Sequence, residues 1–250
     1  MNTKTVYSTK AEKYAKYRWD YAAGAIEAIF EITRLSAQSA LADVGAGTGI
    51  LTRHFVEEVQ TLYAIEPNRE LRQILETWAL FPSVSVINGS AENTTLPDGS
   101  VDVITVAQAI HWFDPEPTRR ELMRILKKDG WLVLLRNYGT NKTQNEAIGC
   151  LMTEEYGADF SVGHQQGKVD PARFYFTKDG YQKLTFPFHF NQSWDEFIGA
   201  LTTASFMPDE DHPLIKKLEA KAREIFSQHS QGGYWRVEGE TEVLIGQPAK

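Results

Sequence analysis

The sequence predicts an α/β fold: a parallel sheet with helices packed on both of its faces. Short β-rich runs alternate with helix-like segments through the middle of the chain, and those runs are apolar on both sides. No repeat, low-complexity tract or linker-like stretch interrupts them. Residues 41–44 read as the first strand, followed by a glycine-rich turn and a helix near 50–59. Residues 62–66 form a second strand, and Asn68 caps a helix running to about residue 78. A third strand occupies 84–88. Pro97-Asp98-Gly99 marks a turn before a fourth strand at 101–107. Pro115 and Pro117 suit the first turn of a helix ending near 128, after which Asp129-Gly130 leads into the apolar strand 131–135.

The flanks differ from this middle. Residues 10–35 read as helical, with apolar positions at Tyr14, Tyr17, Ile26, Ile29 and Phe30. Beyond Asn137 the expectation is a helix near 146–156, an irregular stretch to Pro171 and a Phe-rich strand at 184–190. In 214–226 the residues Leu214, Ile215, Leu218, Ala222, Ile225 and Phe226 form one apolar stripe, which predicts a helix packed on a core. Residues 234–237 and 241–245, with Glu238-Gly239-Glu240 between them, predict a closing β-hairpin. The 250 residues are 42% hydrophobic, enough for a full core. They are read as one domain: a helical cap at 1–35, a ligand-binding core at 36–138, and a lid with the last strands at 139–250.

Composition narrows the function. A net charge of −7 with no more than two consecutive basic residues gives no basic stripe for phosphate tracking, so no nucleic acid partner is expected. The longest apolar run is 131–135, far short of the ~20 residues of a membrane span. Neither a membrane partner nor a secretory signal is expected. The lone Cys150 reads as a buried, reduced thiol in a cytoplasmic protein. None of the six histidines lies within five residues of another, so no paired-histidine metal site is predicted. Neither a serine nucleophile elbow nor a P-loop is present.

The chemistry concentrates in Asp43-Val44-Gly45-Ala46-Gly47-Thr48-Gly49, between a strand and the following segment. Alternate glycines allow a tight turn and let a ligand approach bare backbone. The dinucleotide fingerprint G-x-G-x-x-G needs a glycine where Ile50 stands. The pattern here is D-x-G-x-G-x-G, which suits a zwitterionic contact better than a diphosphate, with Asp43 available to a cationic group. Glu66, 19 positions after Gly47 and followed by Pro67, stands at the next strand end, where a carboxylate accepts from ribose hydroxyls. The third and fourth strands end in Gly89-Ser90-Ala91-Glu92 and in Ala107-Gln108-Ala109-Ile110-His111-Trp112-Phe113-Asp114. The first of these can read an adenine edge, and the second can hold the reacting group. Either a structural turn or a nicotinamide site remains open on spacing alone.

The run 41–135 resembles the class I S-adenosylmethionine-dependent methyltransferases, especially the type 11 and trans-aconitate methyltransferase-like small-molecule subgroup. Residues 6–21, with Tyr17, Arg18 and Tyr21, are similar to the cap these proteins fold over their cofactor. The chain departs from the family at Trp19, Ala22 and Asp129, where relatives carry proline, and at Ser90, where aspartate is common. The resemblance implies a Rossmann-like class I methyltransferase fold, a seven-stranded mostly parallel sheet with helices on both faces and a helical cap. It implies S-adenosyl-L-methionine as cofactor and S-adenosyl-L-homocysteine as product. It places Gly45, Ala46, Gly47, Thr48 and Gly49 around the methionine part, Asp43 near its ammonium, and Glu66 and Pro67 at the ribose. Ser90, Ala91 and Glu92 flank adenine, and Ala107, Gln108, Ala109 and Trp112 lie beside the sulfonium. Tyr17 and Arg18 close over the cofactor.

The implied activity is O-, N- or carboxyl methylation of a small molecule by a monomer or homodimer. His111 is the candidate base or a pocket residue, while His164 reads as a solvated loop residue. Arg136, Asn137 and Tyr138, at the end of the fifth strand, are candidates for holding an anionic substrate, and Arg18 is another from the cap. An NAD-dependent oxidoreductase and a non-catalytic S-adenosylmethionine-binding relative are the alternatives.

Overall fold

The computed structural model describes residues 10–79, 82–156, 169–204, 207 and 212–248. Its frame is a seven-stranded sheet in the order β3-β2-β1-β4-β5-β7-β6. The strands are β1 (Ala40–Val44), β2 (Thr61–Ile65), β3 (Val84–Ile87), β4 (Val101–Ala107), β5 (Leu126–Gly139), β6 (Phe176–Gln192) and β7 (Trp235–Pro248). The first five pair in parallel, and β7 runs antiparallel to both β5 and β6. The expected mostly parallel, Rossmann-like sheet is therefore present.

Alternation along the strands feeds two cores, one on each face. Ala42, Val44, Ile104, Val106, Leu132 and Leu134 point to one side, where they meet Leu122 and Ile125 of the helix α4 (Pro115–Ile125). Leu41, Val103, Val133 and Leu135 point to the other, against Ile29 of α2 (Ala23–Thr33) and Phe55. A strand buried on both faces needs apolar residues at consecutive positions, which is why these runs read as unbroken hydrophobic stretches. The helix α3 (Arg69–Trp78) starts where expected, with the Asn68 side chain accepting from the Leu71 N–H, and Pro115 opens α4.

A second module covers the β7 end of the sheet. It comprises α5 (Lys142–Tyr156), α7 (Trp194–Thr202) and α8 (Leu214–His229), whereas the short α6 (Pro171–Tyr175) packs in the core beneath α4, where Tyr175 is buried. Met152, Phe197, Leu218, Phe226, Trp235 and Val237 form its core; of the predicted stripe of α8, Leu218, Ala222 and Phe226 are buried in it, Ile225 packs against it, and Leu214 is only partly buried. The cap helix α1 (Ala11–Tyr17) docks on this module. Lys10 Nζ donates to the carbonyls of Ala204 and Met207, and the Tyr17 ring fills the space that a side chain at Gly199 would need, 2.4 Å from its Cβ position.

Three expectations are corrected. Cys150, read as buried, is exposed on α5. Residues 50–59 do not form a regular helix: only a 3₁₀ turn, Thr52–Phe55, is present, and Glu57 takes a left-handed φ of 63°. The closing hairpin is instead one continuous strand, β7. Gly239 pairs with Gly139 on one side and Phe188 on the other, and a Cβ there would lie 2.5 Å from the Phe188 ring. The glycine serves close strand approach and not a turn.

Thr94, Glu121 and Arg124 form a buried polar tie beneath α4. Glu121 accepts from the Thr94 N–H and hydroxyl and from Arg124 Nε and Nη2, at 2.6–2.8 Å. The Arg124 guanidinium, joined by the Thr94 donors, holds the Glu121 carboxyl down to about 2. Glu121→Ala leaves the buried Thr94 N–H and hydroxyl without this acceptor, while Arg124 keeps Asp98 and the Leu96 carbonyl, and is expected to cost about 2 kcal/mol of unfolding free energy, read by urea denaturation. A loss below 1 kcal/mol, a small fraction of typical domain stability, contradicts the assignment.

Candidate active site

The sheet order reverses between β1 and β4, since β1 pairs with β2 on one side and β4 on the other. Ligands in open α/β sheets bind at the carboxyl ends of strands beside such a point. Here the two chain segments leaving those ends carry unusual backbone. Gly45, Gly47 and Gly49 have φ of 74°, 59° and 84°, and Gln108 at the end of β4 has φ of 56°. A left-handed non-glycine residue is a local strain held by its surroundings. Gln108 is fixed by its N–H to the Leu135 carbonyl at 2.9 Å and by its Nε2 to the Asn137 carbonyl at 3.1 Å.

The three glycines differ in what they allow. A Cβ at Gly49 would fall 2.1 Å from the Trp78 ring, and one at Gly45 would fall 2.8 Å from Ala109, so both permit packing of the loop. A Cβ at Gly47 would meet nothing within 4 Å. That opening faces a cavity of about 130 Å³ lined by Gly45, Gly47, Glu66, Pro67, Ser90, Ala91, Glu92, Ala107, Gln108, Ala109 and Trp112, all sequence candidates. Tyr14, Asn68 and Leu71 also line it and were not foreseen, and Phe113 joins them from the segment expected to hold the reacting group.

Glu66 ties this cavity together. It is buried, and its Oε2 accepts from the Gly47 N–H and its Oε1 from the Asn68 N–H, each at 2.8 Å. Burial raises its pKa above the ordinary value, against the pull of those two N–H groups. A carboxylate offers about four lone-pair sites, so capacity remains for two ligand hydroxyls. Glu92 accepts from the Asp114 N–H at 3.0 Å and so links the loops after β3 and β4.

A second cavity, about 450 Å³, adjoins the first and shares Tyr14 and Gln108 with it. Arg18, His111 and Asn137 line it among the sequence candidates. His111 is exposed on a 3₁₀ turn, its ring 5.0 Å from that of Trp112. Trp19, Phe197 and Trp235 supply aromatic wall, and no pattern in the sequence had singled them out for a site.

Several candidates lie elsewhere. Arg18 reaches the larger cavity and not the smaller one, and Tyr17 packs against Gly199 without lining either, because α1 turns Tyr14 inward. Asp43 is closed behind the glycine loop: its two oxygens accept from the Thr52 and Thr105 hydroxyls at 2.6 and 2.9 Å, which leaves it bracing the loop and lining neither cavity. Ala46, Thr48 and Gly49 are buried within the loop and line neither cavity; the Thr48 carbonyl accepts from Trp78 Nε1 at 3.0 Å. Arg136 is paired with Glu242 at 2.9 Å on the sheet surface, and the Tyr138 hydroxyl donates to Glu240 at 2.6 Å, so alternation along β5 sends only Asn137 into the cavity. His164 and residues 6–9 fall outside the described residues.

Residues 42–134, which build the smaller cavity, match the family described as a methyltransferase domain. An uncharacterized methyltransferase of Mycobacterium tuberculosis is 39% identical over 107 residues, 43% of this chain and 41% of that protein. The uncharacterized methyltransferase YcgJ of Bacillus subtilis is 28% identical over 142 residues, 55% of this chain and 56% of that one. The aligned part of the chain thus spans from about two fifths to somewhat over half the length of these curated relatives. Among solved structures, one from Anaeromyxobacter dehalogenans, provisionally named a type II methyltransferase, superposes with a TM-score of 0.62 at 17% identity, covering 92% of this chain and 98% of that one. The B. subtilis YcgJ structure superposes at 0.52 with 20% identity, covering 90% and 99%. The fold is that of the Rossmann-like methyltransferases.

Proposed function

We infer that the chain transfers a methyl group from S-adenosylmethionine to a small molecule, with the cofactor in the smaller cavity and the acceptor in the larger one. The observation that carries this reading is the shared wall: two cavities of different character adjoin at Tyr14 and Gln108. The smaller cavity fits the cofactor's chemistry. Gly47 leaves bare backbone where a side chain would stand, Glu66 retains acceptor capacity for ribose hydroxyls, and Leu71, Phe113 and Trp112 give apolar surface to a flat base.

The cofactor supplies a methyl group that is already electrophilic. The protein's task is then to hold an acceptor in line and exclude water, and such positioning contributes roughly 7–11 kcal/mol. The Gln108 backbone, locked at both its N–H and its side chain, fixes the boundary between the two cavities. His111, from the larger cavity's wall, is placed to take a proton from a hydroxyl or amine acceptor. His111→Gln is expected to lower kcat about 100-fold or more on such an acceptor, with KM little changed. An unchanged kcat at saturating acceptor would leave His111 as wall only.

Calorimetric titration with S-adenosylhomocysteine and, separately, NAD tests the reading. Binding of the first with no heat from the second is expected. The reverse order of affinity would replace methyl transfer with hydride transfer.

A further inference from the structure

We propose that the larger cavity is built for an amphipathic monoanion, a molecule with one carboxylate-like group and an apolar body, and that Arg18 selects the charge. The inference rests on reading that cavity as the acceptor side of methyl transfer. It narrows the substrate class to an amphipathic monoanion and gives Arg18, a sequence candidate for an anionic substrate, the selecting role.

Arg18 lines the cavity from the end of the cap helix. Its guanidinium lies over the Tyr14 ring, 5.0 Å from the centroid, and Nη2 donates to the Thr203 carbonyl at 3.1 Å. Nε is buried and meets no hydrogen-bond partner among the described residues. Nε is therefore shielded from the cavity too, and the anion is drawn by the charge: no carboxylate pairs with Arg18 among the described residues, so the cation at the wall is answered only by the Tyr14 ring and the Thr203 carbonyl. The rigid fork of a guanidinium matches a carboxylate better than a neutral amide does.

The other charged group at the wall does not oppose this. Glu238 also lines the cavity, but its Oε1 accepts from Arg236 Nε at 3.0 Å, and its side chain is 46% exposed, so solvent and Arg236 answer its charge. His111 faces the same space and adds no negative charge. The remaining polar wall is neutral, with Gln108, Asn137, Asn141, Gln144, Asn145 and Gln192 as its amides.

The body of the ligand is defined by Trp19, Ile148, Met152, Phe197, Leu201 and Trp235. The Phe197 and Trp235 rings stand 4.5 Å apart between centroids, so one end of the cavity is a continuous aromatic surface. A volume of about 450 Å³ is in the range of cavities that bury small organic ligands. One cationic donor at one end and apolar wall at the other favour a single negative charge over a polyanion or a cation.

Octanoate, octanamide and octylamine share one apolar body and differ in the head group. Calorimetry with each, in the presence and absence of S-adenosylhomocysteine, reads the charge preference directly. Tryptophan fluorescence reports occupancy separately, through Trp19 and Trp235. Octanoate is expected to bind at least about tenfold more tightly than octanamide, with octylamine weakest. In Arg18→Gln the ratio of octanoate to octanamide affinity should fall to within about twofold, and Arg18→Lys should retain part of it. S-adenosylhomocysteine affinity is measured alongside, because Arg18 lies over the Tyr14 ring and Tyr14 lines both cavities; the octanoate-to-octanamide ratio, not this affinity, decides the proposal. If Arg18→Gln does not fold, the head-group series on the parent protein and on Arg18→Lys decides the matter. Equal binding of octanoate and octanamide, a preference for octylamine, or no binding of any probe at millimolar concentration overturns the proposal. Silence toward S-adenosylhomocysteine with the octanoate preference intact sinks the methyl-transfer reading and leaves this anion site standing.

Discussion

Gly47→Ala will bind S-adenosylhomocysteine at least about 100-fold more weakly than the parent while remaining folded, a loss of about 3 kcal/mol of binding free energy. The argument separates two consequences of one methyl group. Gly47 has φ of 59°, so any side chain pays a left-handed backbone cost of roughly 1–2 kcal/mol in stability. The added methyl meets no protein atom within 4 Å, so it does not disturb packing. It does occupy the opening onto the smaller cavity, where a ligand is to approach the backbone. Gly99 provides the matched control. It has φ of 56°, its Cβ would also meet nothing within 4 Å, and it lies exposed in the turn before β4. Gly99→Ala should lose a similar amount of stability and none of the affinity. Equal affinity in Gly47→Ala and Gly99→Ala, measured by calorimetry, would falsify the assignment of the glycine loop as the ligand cradle.

The second large effect concerns stability against pH. Asp43 is 1% exposed, and its pKa is pushed up to about 6, chiefly by burial and against the pull of the Thr52 and Thr105 hydroxyls. The folded protein therefore holds this proton more tightly than the unfolded chain, whose carboxylate titrates near 3.8. The stabilising contribution is full below about pH 4 and is lost as pH rises through about 6, amounting to about 3 kcal/mol. Asp43→Asn has no such proton to lose; one threonine hydroxyl can go on donating to its amide oxygen and the other can turn to accept from its NH₂. Denaturant unfolding from pH 4 to 7 should show the parent falling by about 3 kcal/mol relative to the variant. Parallel curves would mean that Asp43 is not the buried acid described.

The fold was legible because the strands near the site are buried on both faces and leave a plain hydrophobic record. Asn68 and Pro115 mark helix starts by local chemistry alone, and the structure places them there. Gly239 shows the limit of such reading. A glycine between two glutamates is a turn signal in the sequence, and only the neighbouring strands, with Phe188 and Tyr138 pressed against it, reveal its role. The smaller cavity was legible because its residues leave consecutive strand ends in short, recognisable segments. The larger one draws Trp19, Met152, Phe197 and Trp235 from four separate elements, joined by packing that no local pattern encodes. Arg136 and Tyr138 were drawn into the expected site by proximity in sequence. The pleat of β5 sends Asn137 inward and pairs its two neighbours with Glu242 and Glu240.

Cocrystallisation with S-adenosylhomocysteine addresses the arrangement most directly. The account expects its ribose hydroxyls on Glu66, its base among Leu71, Ala91 and Phe113, and its sulfur at the Tyr14 and Gln108 wall, open to the larger cavity. A nucleoside bound in the larger cavity, or with its sulfur turned away from that wall, would contradict it.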